Sequence, residues 1–124
     1  MRYDHLPIYK AALDLCVYVE TIVRVFDKYY KYTIGIDMRT WSKRILFGIH
    51  KANRSRNKAS LLEHLVDLCE EFKMLVQLGK ALKAYKSFKQ FEHLSKLSVA
   101  VAKQSQAWYN HFAKEPSGMV GVSR

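Results

Sequence analysis

Apolar residues step through this chain by fours and threes, and that spacing restricts its architecture more than any other feature. Ile8, Ala12, Leu15, Val19, Ile22 and Phe26 follow the sequence 4, 3, 4, 3, 4, the seam of a helix packed lengthwise against other helices. The step returns at Ile34, Met38, Trp41, Ile45, Gly48, Ile49 and Ala52. It returns again at Leu61, Leu65, Leu68, Phe72, Leu75, Gly79 and Leu82, and at Phe91, Leu94, Ser98, Val101, Ser105, Trp108 and Phe112. Breakers are scarce between these runs. Of two prolines and five glycines, Pro116, Gly118 and Gly121 lie in the last nine residues. No stretch alternates with the period of two that a half-buried strand needs. The spacing therefore predicts an all-α, up-down-up-down four-helix bundle.

The expected helices run over about 6–26, 33–54, 60–83 and 88–112. Pro7 suits a first helical turn, where its missing N–H costs nothing. Thr33 is a candidate N-cap, and Ser60 to Glu63 and Ser87 to Gln90 have the spacing of capping boxes. Connections are expected at Asp27 to Tyr32, Asn53 to Lys58 and Ala84 to Ser87. Residues 1–114 read as one domain and 115–124 as a disordered tail. Helix one carries a second apolar stripe that includes Leu13 and Val17. A surface helix of a small monomer does not need one, so Leu13 and Val17 are candidate interface residues. Leu46 and Phe47 join them, as apolar residues placed beside Lys43 and His50.

Charge is unevenly spread. The chain carries a net charge of +10, and the stretch from Lys28 to Lys58 supplies +8 of it. Its nine basic residues are Lys28, Lys31, Arg39, Lys43, Arg44, Lys51, Arg54, Arg56 and Lys58, against one acid, Asp37. On a wheel of about 100° per residue, Arg39, Lys43, His50 and Arg54 fall opposite the apolar stripe. One helix is therefore expected to pack with one face and present cation with the other, and a polyanion accounts for the concentration better than solvation does. Tyr29, Tyr30 and Tyr32, interleaved with Lys28 and Lys31, suit two roles equally: stacking on nucleic-acid bases, or lying down over the end of the bundle.

Enzyme signatures are missing from the sequence. No acid has a histidine three residues later, as a bundle di-iron site requires. The five histidines and two cysteines show no metal-ligand spacing, and there is no phosphate-cradling glycine loop or nucleophile elbow. No cofactor or metal is implied. Cys16 and Cys69 sit inside apolar patterns and read as buried thiols of a reducing compartment. With no signal-like start and no apolar run of membrane length, the expectation is a soluble, cytoplasmic protein that makes no membrane contact.

Leu6-Pro-Ile-Tyr-Lys10, Tyr32-Thr-Ile-Gly-Ile36, and Ala52-Asn-Arg54 ahead of Lys58 and Leu61 together resemble the accessory variability determinant (Avd) proteins of diversity-generating retroelements. These belong to a four-helix-bundle group that also includes proteins encoded in 23S rRNA intervening sequences. The resemblance spans about Leu6 to Phe112. It implies a barrel-shaped homopentamer that is not itself catalytic. It also implies that the chain binds a reverse transcriptase and template-repeat RNA, with DNA as a further ligand, and so supports mutagenic cDNA synthesis. Lys31, Arg39, Arg54 and Lys58 match basic positions of that family. Asp27 stands where the family often has proline, and Asp37 where it has a second basic residue. Two other readings remain: a protein of the rRNA-insert type, and a scaffold whose positive face docks an acidic protein partner.

Overall fold

The computed structural model describes residues 6–113, all of which lie in helices or the turns between them. The N-terminal five residues and the tail expected at 115–124 fall outside that range. Helix α1 spans Pro7–Val23, α2 is one turn at Lys28–Lys31, α3 spans Ile34–Arg54, α4 Lys58–Leu82 and α5 Phe88–Ala113. The four long helices pack in the order α1, α3, α4, α5 and back to α1, each against its two neighbours. Short connections make successive helices antiparallel, giving the up-down-up-down arrangement. One end of the bundle holds α2 and the α4–α5 turn, and the other holds the α3–α4 turn. Because α1/α5 and α3/α4 are opposite sides of this square, features on those two flanks face away from each other.

The core follows the apolar steps. The five seam residues of α1, from Ile8 to Ile22, are buried, and so is Phe26 in the turn that follows. On α3, Ile34, Met38, Ile45, Ile49 and Ala52 are buried, while Trp41 and Gly48 stand half-exposed on the side facing α4. On α5, Leu94, Ser98, Val101 and Ser105 point inward. Their buried hydroxyls are satisfied locally, Ser98 by the Ser95 carbonyl and Ser105 by the Ala102 carbonyl, both at 2.9 Å.

Several sequence expectations need correction. The seam of α4 is only partly as expected: Leu65, Leu68, Phe72 and Gly79 are buried, but so are Leu62, Cys69 and Val76, whereas Leu61 and Leu75 are half-buried and Leu82 is exposed. This helix packs against both α3 and α5, so its inner face is broader than one seam. α4 also starts at Lys58, which leaves Ser60 inside the first turn and no capping box with Glu63. Thr33 does not cap α3 with its side chain; its hydroxyl donates back to the Tyr29 carbonyl at 2.8 Å. The segment after α1 is a helical turn rather than plain connection, and α1 itself stops at Val23. Only the Ser87 half of the second box forms, and the return bond from Gln90 goes one residue too far back, to Lys86. The Ser87 hydroxyl accepts from the Gln90 N–H at 3.3 Å, and the Gln90 side chain accepts from the Lys86 N–H at 2.9 Å.

Three glycines sit where elements meet closely; at Gly79 an added Cβ would stand 2.8 Å from the Tyr85 hydroxyl and 2.9 Å from Met38 Cε. A Cβ on Gly35 would stand 2.7 Å from Val23 Cγ1 and 2.9 Å from the Tyr30 carbonyl oxygen, so only glycine lets α2 fold back onto α3. At Gly48 the nearest atom is Leu65 Cδ1 at 3.3 Å, the end of a side chain that can move.

Candidate nucleic-acid interface

The nine cations of the basic stretch do not form one surface. Helix α3 is wedged between α1 and α4, and its charged residues divide according to which neighbour they lean toward. Arg39 leans to α1, where Nε lies 3.2 Å from Glu20 Oε1 and the side chain is two-thirds covered. Arg44 leans to α4, its guanidinium 4.5 Å above the Trp41 ring. The Trp41 indole N–H in turn donates to Glu71 on α4 at 2.9 Å. Lys43, Lys51 and Arg54 are exposed, the last two on the α4 side with Arg44.

Lys58 has a structural position. Its stem turns back from the start of α4, and its ammonium donates to three carbonyls: Ala52 at 3.1 Å, Asn53 at 2.9 Å and Ser55 at 2.7 Å. Ala52 and Asn53 belong to the last turn of α3, at the negative end of its dipole, and Ser55 caps it; the Ala52 carbonyl also accepts the Ser55 N–H at 3.3 Å. Arg56 is exposed in the turn just before it. Lys28 and Lys31 sit on α2, at the opposite end of α3. The 21 residues of α3 put about 30 Å between the two ends.

What the fold does bring together is a groove on the α3/α4 flank. Arg44, Phe47, Gly48, Lys51 and Arg54 line it from α3, with His64 and Leu68 from α4; its volume is about 640 Å³. His50 and Ser55 complete the lining. Gly48 lets the helices approach along this line, and Phe47 is held outward at 63% exposure. Leu46 is instead half-buried against the core, on the side of α3 that faces α1. Sequence reasoning found the α3 half of the groove. The α4 half was invisible to it, because no periodicity says which residues of one helix face a given turn of another.

The other candidate interface residues lie on the far side. Leu13 and Val17, the latter 60% exposed, line a shallow α1/α5 groove of about 380 Å³ with Tyr18 and Leu97. A third groove of about 480 Å³ lies on the α3/α4 flank toward the α2 end, lined by Trp41, Met74, Leu75 and Leu78 with Asp37 and Glu71 at its rim.

Neither thiol is placed for reactivity. Cys16 donates to the Ser42 carbonyl at 3.2 Å, and burial raises its pKa. Burial pushes the Cys69 thiol up to about 11. Among the described residues, no three histidine, cysteine, aspartate or glutamate side chains group closely enough to hold a metal ion. No described helix is long and apolar enough to cross a membrane. Compared with known proteins, the chain matches no family model and no curated sequence.

Proposed function

We propose that the chain is a non-catalytic accessory subunit that grips nucleic acid through the α3/α4 groove. In keeping with its resemblance to the Avd proteins, the nucleic acid is template-repeat RNA and the partner a reverse transcriptase making mutagenic cDNA. The observation that carries this reading is the convergence of Arg44, Lys51 and Arg54 on one open groove. Ten residues of α3 separate the first from the last, about 15 Å of helix. A duplex presents roughly nine phosphates over that length of axis, so three cations at this spacing, with Lys43 and Arg56 beside them, suit a backbone that runs along the helix. Contacts of this type position a nucleic acid without reading its sequence, which suits a subunit that hands template to a polymerase.

Self-association belongs to the same proposal. Apolar grooves on opposite flanks favour head-to-tail contact between copies, and such contacts close into a ring when the rotation between copies allows it. The exposed ring of Phe47 favours a second reading, in which the groove docks an acidic protein, since an outward aromatic among cations also suits a protein interface. Charge reversal at Arg44 and Arg54, assayed separately against RNA and against the reverse transcriptase, discriminates. Loss of RNA binding supports the first reading. Intact RNA binding with loss of the protein partner establishes the second.

A further inference from the structure

The end of the bundle that receives Lys28 and Lys31 gathers cations from four separate segments. Arg24 follows α1, Lys28 and Lys31 lie on α2, Lys80 and Lys83 close α4, and Lys89 opens α5. Three contacts fix the segments against each other. The Phe26 and Tyr85 rings meet edge-on at 5.8 Å, the Tyr85 hydroxyl donates to the Val76 carbonyl at 2.8 Å, and Lys86 reaches Asp27 across the gap at 2.6 Å. That ion pair occupies one of four carboxylates near this end; Glu20 in the last turn of α1 is engaged by Arg39, and Glu92 lies in the second turn of α5. The fourth, Asp37, stands in the first turn of α3.

Three aromatic rings are held outward among these cations: Tyr29 at 72% exposure, Tyr32 at 60% and Phe88 at 64%. Tyr30, between the first two, packs inward on the core and supports Tyr29 edge-on at 5.4 Å. Phe91 supports Phe88 at 5.7 Å, and the Lys80 ammonium lies 5.9 Å from the Phe88 ring. Solvation explains the lysines and the tyrosine hydroxyls but not the exposed ring faces. Rings braced from behind and flanked by cations suit bases stacked on the rings with their phosphates on the lysines. Only unpaired bases offer free faces, because in a duplex the bases stack on one another.

We propose that this end is a second nucleic-acid site, specific for single strands, built from residues other than those of the α3/α4 groove. The test measures anisotropy of labelled oligouridylate, oligodeoxythymidylate and a duplex of equal length at one salt concentration. Tyr29→Ala with Tyr32→Ala is expected to weaken both single-strand probes at least tenfold and the duplex less than twofold. Tyr29→Phe with Tyr32→Phe, which keeps the rings, retains wild-type affinity. Equal losses on strand and duplex, no loss on either, or a Phe pair as weak as the Ala pair each overturn the proposal. The wild-type comparison of the two single-strand probes shows whether the site prefers ribose.

Arg44→Gln, Lys51→Gln and Arg54→Gln together separate the two sites. If this variant loses the duplex and keeps the ring-dependent affinity for single strands, two sites exist. If it abolishes all binding, the end site has no independent existence. If it leaves duplex binding intact, the groove reading fails while the end site stands on its own probes.

Discussion

Lys58 separates a structural cation from a binding one. Replacement by Met keeps the apolar stem and removes the ammonium that donates to the carbonyls of Ala52, Asn53 and Ser55. A hydrogen bond from a charged group contributes about 1.5–3 kcal/mol, and a cation at a helix C-terminus about 0.3–1 kcal/mol. The three bonds share one ammonium, and the side chain is half-buried, so their energies do not add. A net loss of about 2 kcal/mol is expected for Lys58→Met. For a domain of this size that is roughly 8 °C in Tm. Lys58→Arg should fall between the two, because a planar guanidinium cannot aim at three converging oxygens as an ammonium does. Thermal unfolding followed by circular dichroism reads the stability, and anisotropy with RNA reads the binding. A Met variant as stable as the wild type, with RNA affinity reduced tenfold, would show that Lys58 faces phosphate and that its inward position is wrong.

Gly35 and Gly48 should respond in opposite senses to an added methyl. Gly35→Ala drives a methyl against the Tyr30 carbonyl, which cannot rotate away; overpacking of about 1–3 kcal/mol exceeds the roughly 1 kcal/mol gained in helix propensity, so urea unfolding should show net destabilisation. Gly48→Ala meets only a mobile leucine methyl and should be neutral or slightly stabilising. The Cys69 thiol titrates near 11 in the fold against an ordinary 9.0, so the folded state keeps its proton longer. Its contribution is complete below pH 9 and is lost as pH rises to 11, by about 2–3 kcal/mol at most. Unfolding of Cys69→Ala should therefore show a shallower alkaline decline than the wild type, with the burial-raised Tyr85 common to both. Leu13→Asp with Val17→Asp should reduce the mass measured by light scattering to that of a single chain while leaving helicity unchanged; an unaltered mass would remove the α1/α5 flank from self-association.

The fold was legible where one residue period decided the outcome. Ile8 to Phe26 could be placed inside from spacing alone, and the Ser87 cap from four consecutive residues. Legibility failed where a residue answers to two neighbours at once. α4 touches both α3 and α5, so its buried set includes Leu62, Cys69 and Val76, which the single seam through Leu61 and Leu75 omits. The candidate site shows the same limit more sharply. The helical wheel put Arg39 and Arg54 on one charged face, but Glu20 engages Arg39 from a different helix. Lys58 looked like the last cation of a basic run until the carbonyls of the preceding turn placed it inside. Lys80, Lys83 and Lys89 lie about fifty residues or more from Lys28 and Lys31, and only the antiparallel return of α4 brings them to the same end. Of Tyr29, Tyr30 and Tyr32, composition could not tell the inward ring from the outward ones; the turn of α2 does.

The salt dependence of RNA binding tests the groove most directly. Five cations, Lys43, Arg44, Lys51, Arg54 and Arg56, remain once Arg39 and Lys58 are set aside and Lys28 and Lys31 are left to the other end of the bundle; Arg44, Lys51 and Arg54 line the groove and the other two flank it. At about 0.9 per phosphate contact the five give a slope near −4.5 in log affinity against log salt for a duplex. Affinity should then fall about 500-fold between roughly 50 and 200 mM salt. With Arg44, Lys51 and Arg54 replaced by Gln, the slope should relax to about −1.8 and the fall to roughly tenfold. A wild-type affinity that stays flat across that range, or a triple variant with an unchanged slope, would contradict the assignment of this flank to nucleic acid.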